Sequence, residues 1–204
     1  MTSPGPGLRE RKKKATRDHI AAVATRLFAV QGFEATTIAQ IAAAAEVAKM
    51  TVTNYFPLKE DLLFDRAPEI IAMLADAVTA RAPGTAAQDA VRAEYRARLA
   101  ARWPALAIVG PQFFGTVDAS PALRTRERAM FAEQEDALAA VLVAEAGGDS
   151  DAAVAARIEA ARLSGIVRVL YFEARRRTLA GEDTEHVVAA MDRAEARAFG
   201  AEPG

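Results

Sequence analysis

The stretch from Thr36 to Leu62, TTIAQIAAAAEVAKMTVTNYFPLKEDL, reads as two short helices joined by a tight turn, with a third element beginning after them. Ile38, Ile41, Ala42 and Ala45 recur at helical spacing and give the first of these helices one buried face. Thr37 and Gln40 stand at the spacing of a capping box, in which each side chain satisfies an orphan backbone donor of the other residue. The second helix runs from about Lys49 to Phe56 and stops at Pro57, which disfavours helical geometry in the residue before it.

On a wheel of about 100° per residue, Ala48, Val52 and Phe56 share the side that faces the first helix. Met50, Thr51, Thr53 and Asn54 span the opposite arc, flanked by Lys49 and Tyr55, and no acid falls among them. Hydroxyls, an amide, a thioether and an ammonium can read base edges, touch thymine methyls and meet phosphates. A recognition helix in the major groove must do these things. An ordinary helical hairpin with a polar solvent face would show the same periodicity, so the pattern alone leaves both readings open.

Three runs in register decide between them: Gly32-Phe33-Glu34-Ala35-Thr36-Thr37, then Ile41-Ala42, then Val47 through Leu62 with its Tyr55-Phe56-Pro57-Leu58-Lys59-Glu60-Asp61-Leu62 end. Together they resemble the N-terminal DNA-binding domain of the TetR family of bacterial transcriptional regulators, over about Thr16 to Leu63. The resemblance implies an all-α protein of about nine helices. A three-helix helix-turn-helix head would be followed by a helical effector-binding and dimerisation domain. It also implies DNA contacts from Thr36, Thr37, Lys49, Met50, Thr51, Thr53, Asn54, Tyr55 and Lys59. The Thr36-Thr37 helix start, Tyr55 and Lys59 would meet phosphates, and the others bases or their flanking backbone. The chain departs from the family at Glu46, where Gly is common, at Ala48, where a hydroxyl is common, and at Met50 and Thr53. These departures leave the operator sequence open.

Length and composition bound the rest. The chain has 204 residues, 51% of them hydrophobic, and no cysteine, so a disulfide framework, thiolate metal site and Cys nucleophile are excluded. The first residues lack the apolar core of a signal peptide and no apolar run approaches a membrane span, so a cytoplasmic protein with no membrane partner is expected. Net charge is −1, yet through Lys59 nine Lys and Arg stand against four acids. That basic end, densest from Arg9 to Arg17, is the footprint of phosphate binding, and a solvated tail is the plainer alternative.

Read in order, the chain divides into a disordered basic tail at 1–12, the helix-turn-helix domain at 13–57 and a helical ligand-binding and dimerisation domain at 58–200. The first helix is expected from about Lys13 to Val30, ended by Gly32. A fourth helix is expected to run on from Lys59 to about Arg81, kinked at Pro68, with the Ala82-Pro83-Gly84 break after it. Further helices follow over about 85–102, 122–146, 151–179 and 184–199, with a region chopped by prolines between the first two of these.

In proteins similar to this family the second domain encloses a small, often hydrophobic, effector. Met73, Tyr95, Trp103, Phe113, Phe114, Met130, Phe131 and Tyr171 are the candidate wall, with Gln112, Tyr95, Arg168 and Tyr171 as polar anchors. Plain core packing is the alternative for each. The last two helices resemble the family's dimerisation pair, through small residues from Ala155 to Gly165 and the stripe Val187, Val188, Met191, Ala194 and Ala198.

The expected function is that of a ligand-responsive regulator, most plainly a repressor that holds a palindromic operator in double-stranded DNA as a homodimer. A small effector would release it. Glu46 and Ala48 keep a second reading open, a helical small-molecule-binding or interaction protein with a vestigial DNA-binding head. No Walker, Rossmann, GxSxG or HExxH pattern is present, and neither His19 nor His186 has a partner at di-iron spacing, so no catalytic residue, metal or cofactor is expected.

Overall fold

The computed structural model describes residues 7–107 and 109–200, and among the described residues all regular secondary structure is helical, with no strand. In chain order the helices are α1 (Leu8–Gln31), α2 (Ile38–Ala44), α3 (Lys49–Tyr55), α4 (Ala67–Ala80), α5 (Ala87–Ala100), α6 (Pro111–Ala119), α7 (Pro121–Glu145), α8 (Ser150–Leu179) and α9 (Thr184–Ala198). Short 3₁₀ turns at Glu60–Leu62 and Pro104–Leu106 precede α4 and α6. None of the helices is long and apolar enough to cross a membrane. Backbone packing groups the described residues up to Asp65 with Thr116–Arg124 in one unit, and Arg66–Gly115 with the chain from Thr125 onward in another.

The first unit is built on Ile20, Val23, Ala24 and Phe28 of α1, Ile41 and Ala42 of α2, and Val52 and Phe56 around α3, all buried. Gly32 ends α1 at φ 83°, with its N–H donating to the Phe28 carbonyl. Only glycine takes that backbone region at no steric cost. The capping box at α2 forms as the spacing predicts: the Gln40 N–H donates to Thr37 Oγ1 at 3.2 Å and the Thr37 N–H to Gln40 Oε1 at 2.8 Å.

Two expectations need correction here. The basic tail expected over residues 1–12 is helical from Leu8, and residues 1–6 lie outside the described residues. Lys, Arg and Glu are strong helix formers, and Lys14 pairs with Asp18 one turn on at 2.8 Å, so this charge run winds into α1. The fourth helix is not continuous with Lys59, because the chain makes a 3₁₀ turn at Glu60–Leu62 and α4 starts afresh at Ala67. Pro68 accordingly sits in the first turn of α4, where its missing N–H would have had no helical partner, and produces no kink.

The second unit packs Met73 and Leu74 of α4, Val91, Tyr95 and Leu99 of α5, Met130, Phe131 and Leu138 of α7, Leu163 and Val167 of α8, and Met191 of α9. Asp149 caps α8 through the Asp151 and Ala152 N–H groups, and Asp183 caps α9 through that of Glu185. Arg92 reaches the fully buried Glu195 at 2.6 Å, tying α5 to α9. Trp103 lies under the Arg98 guanidinium, 4.0 Å from its ring.

Candidate nucleic-acid interface and ligand-binding core

Helix α3 turns Val52 inward and leaves Lys49, Met50, Thr53 and Asn54 exposed, Met50 at 72%. Thr51 and Tyr55 are half-buried at the margins. An exposed thioether flanked by an ammonium, a hydroxyl and an amide, with no carboxylate on the helix, is a surface suited to a nucleic-acid groove. The Thr53 hydroxyl donates to the Met50 carbonyl at 3.1 Å and so presents lone pairs outward. Ala48 gives α3 no side-chain cap, which removes about 1 kcal/mol of helix-end stabilisation.

Thr36 leaves the surface set, because it is buried to 1% and its hydroxyl donates to the Gly32 carbonyl at 2.8 Å. Thr37 is exposed, but its N–H and hydroxyl are engaged with Gln40. Lys59 is half-buried, 4.2 Å over the Phe33 ring, with Nζ donating to the Glu34 carbonyl at 3.4 Å. The Glu34 carboxylate in turn accepts from the Ser120 hydroxyl at 2.5 Å, and Ser120 also caps α7 through the Leu123 N–H.

The basic run of α1 splits into two roles. Arg9, Lys12, Lys13 and Thr16 line a cleft of about 530 Å³ with Glu10 and Tyr55, a basic notch at the end of α3. Arg17 turns the other way. Its guanidinium donates to the Asp65 carbonyl at 2.6 Å and the Tyr55 carbonyl at 3.5 Å, and lies 4.3 Å over the Phe56 ring. It braces the last turn of α3 against α1 and is a positioning residue, where the sequence grouped it with phosphate contacts.

The turn between α2 and α3 places Glu46 at φ 56°. A side chain there costs about 1 kcal/mol or more, because Cβ crowds the following carbonyl oxygen. Glu46→Gly is expected to raise stability by about 1 kcal/mol, tempered by the greater freedom of glycine in the unfolded chain. Urea denaturation should show a higher midpoint, and an unchanged or lower midpoint would contradict the strain argument.

In the second unit, six of the residues proposed as a pocket wall, Met73, Tyr95, Phe114, Met130, Phe131 and Tyr171, are buried, and Phe113 is half-buried. Tyr95 is buried on α5, and burial first, then the charges of Glu195 and Asp192 on α9, push its phenol up. Two anchors are corrected: Gln112 and Arg168 are exposed, each on the outer side of its helix. Trp103 is half-buried and engaged by Arg98.

The sequence missed the polar centre of this unit. Glu127, buried to 2%, accepts from the Tyr171 hydroxyl at 2.9 Å and from the Arg175 guanidinium at 2.5 Å. Burial, and then the Glu127 carboxylate, push the Tyr171 phenol well above its usual range. Phe114 and Phe131 meet the Tyr171 ring edge-on, at 6.3 and 4.9 Å between centroids.

Residues 20–65 match the family model described as bacterial regulatory proteins, tetR family. The chain is 38% identical over 98 residues to the HTH-type transcriptional regulator TcmR of Streptomyces glaucescens, a match covering 48% of this chain and 43% of that relative. It therefore spans under half the length of that curated relative. A crystal structure of a putative TetR-family transcriptional regulator from Mesorhizobium loti superposes with a TM-score of 0.50 at 18% identity, over 92% of this chain and 96% of that one. This last likeness is one of fold.

Proposed function

We propose that the chain is a DNA-binding transcriptional regulator that acts as a repressor, a reading supported by the match of residues 20–65 to the model described as bacterial regulatory proteins, tetR family. The observation that carries this reading is the exposed, acid-free face of α3, with Lys49, Met50, Thr53 and Asn54 turned outward and Arg17 bracing the helix end. Tyr55 and the basic notch of α1 would take the neighbouring phosphates, with Lys59 beside them.

Two copies would pair through α8. Val154, Ile158, Val169, Phe172 and Leu179 are exposed on it, and with Ala161 and Gly165 they form one line along the helix at intervals of three, four and seven residues. A single chain leaves this line uncovered. The stripe expected to face a partner from α9 is already used, because Val187, Val188 and Met191 are buried within the chain itself. A two-fold pair of recognition helices would meet half-sites one helical turn apart on a palindromic operator.

Effector binding in the second unit would shift the balance between a DNA-competent and a DNA-released state, as far as the effector binds one state better. Since α4 starts afresh at Ala67, the stretch Thr116–Arg124, which packs in the first unit and holds Glu34 through Ser120, is the better candidate to carry that shift.

Selection of bound sites from random DNA, followed by mobility-shift titration against salt, tests the proposal. The expected result is enrichment of a two-fold symmetric site, with affinity falling steeply as salt rises, and a loss of roughly tenfold for Lys49→Ala at constant folding. Absence of any enriched site would overturn the reading and favour a helical binding protein whose head no longer reads DNA.

A further inference from the structure

The sulfur chemistry of this chain belongs to methionine alone, since it has five methionines and no cysteine. Met73, Met130 and Met191 are buried to 2% or less in the core of the second unit. Met50 is the one thioether among the described residues that stands open to solvent. Met1 lies outside the described residues.

Oxidation needs the sulfur lone pair to meet an oxidant in water, so buried thioethers react only when their core opens. Met50 needs no such opening. Its position gives the reaction a consequence, because it lies within the acid-free arc of α3. Thr53 stands three residues on and Asn54 four, both on the neighbouring turn. The Thr53 hydroxyl donates to the Met50 carbonyl at 3.1 Å, so the Asn54 amide is the donor that a new acceptor on Met50 would meet.

We propose that Met50 is a modification site for hydroperoxide oxidants, and that its conversion to the sulfoxide switches off DNA binding. The inference rests on the DNA-binding reading above and deepens it by naming a regulation of the same face. In the forward step a lone pair of the thioether attacks one oxygen of hydrogen peroxide. The O–O bond breaks, an S–O bond forms, sulfur gives up two electrons and the second oxygen leaves as water. In the reverse step two thiols supply two electrons and two protons, the sulfoxide oxygen leaves as water, and the thiols join as a disulfide. This chain holds no thiol, so that reductant comes from outside, through a methionine sulfoxide reductase.

A thioether lies against a thymine methyl at little cost, whereas a sulfoxide oxygen has to be stripped of its water there. The same oxygen accepts from the Asn54 amide one turn on, so a single modification withdraws two groups from the bases. Bound DNA in turn covers Met50 and slows its oxidation.

The test treats the full-length protein with hydrogen peroxide and maps the sulfoxides by peptide mass spectrometry, with mobility shift on the selected site run on the same samples. Met50 is expected to oxidise about tenfold or more faster than Met73, Met130 and Met191, and about fivefold slower under saturating operator DNA. Affinity is expected to fall about tenfold as Met50 is converted, with helix content unchanged in circular dichroism, and to return with methionine sulfoxide reductase and dithiothreitol. In Met50→Leu the loss on treatment should shrink to about twofold or less, relative to the untreated affinity of that variant. If the variant binds too weakly to measure, protection by DNA and recovery with the reductase decide the matter in the unsubstituted protein. Undiminished affinity with Met50 fully oxidised overturns the proposal. So does a loss that persists in Met50→Leu, or one that remains after Met50 is reduced. Untreated protein that selects no DNA site overturns the regulator reading as well, whereas binding indifferent to oxidation overturns this proposal alone.

Discussion

Arg175→Met is expected to lower the melting temperature by about 10 °C. The substitution leaves the Glu127 carboxylate buried at 2% exposure with only the Tyr171 hydroxyl for company. Breaking a buried pair from one side costs about 3–5 kcal/mol, and in a chain of this size each kcal/mol shifts the transition by about 2–4 °C. The cost comes from the stranded charge more than from the lost attraction, so removing the whole group should be milder. Glu127→Leu, Tyr171→Phe and Arg175→Met together are expected to restore most of the loss, because no polar atom of the cluster then remains unmatched. Thermal melts of the single and triple variants decide the matter. A triple variant as unstable as the single one would mean that the cluster holds the core together by its own attraction.

Ile158→Asp combined with Val169→Asp is expected to convert the protein to monomers and to weaken operator binding by at least about a hundredfold. Both residues are well over half exposed on α8, so the charges should not disturb the fold of a single chain. In the proposed two-fold pair, however, each charge would meet an apolar partner face, where desolvating it is costly. Two linked heads bind one site with an effective concentration that a lone head lacks, so losing the pairing removes affinity without touching α3. Sedimentation would follow the assembly, and mobility shift on the selected site the affinity. A double variant that remains dimeric would place the interface elsewhere, and a monomer with undiminished affinity would remove the need for pairing.

The head of the molecule was legible because its determinants are local. Thr37 and Gln40 are three residues apart and cap α2 as their spacing implies, and Pro57 stops α3 within a residue of the expected place. The charge run that opens α1 misled, since Lys and Arg favour a helix as readily as a solvated tail. Thr36 and Arg17 misled because a hydroxyl or a guanidinium can satisfy backbone carbonyls as well as phosphates, and only the neighbours decide which.

Farther along, periodicity identified the apolar face of α9 but not what covers it. Val187 and Met191 serve the chain's own core, and the uncovered line lies on α8 instead. Glu127 and Arg175 were invisible as a pair, separated by 48 residues and polar enough to be assigned to solvent. One signal was there to be read: Met130, Phe131, Gln134 and Leu138 follow Glu127 at three, four, seven and eleven residues, which places the acid on the buried face of α7.

The lone tryptophan of this sequence, Trp103, sits beneath Arg98 in the unit that begins at Arg66. Its ultraviolet emission therefore reports on that half of the molecule by itself. The head contributes only Tyr55 to near-ultraviolet fluorescence of that kind, so a denaturation curve followed at the indole band isolates the melting of one half without any label or truncation.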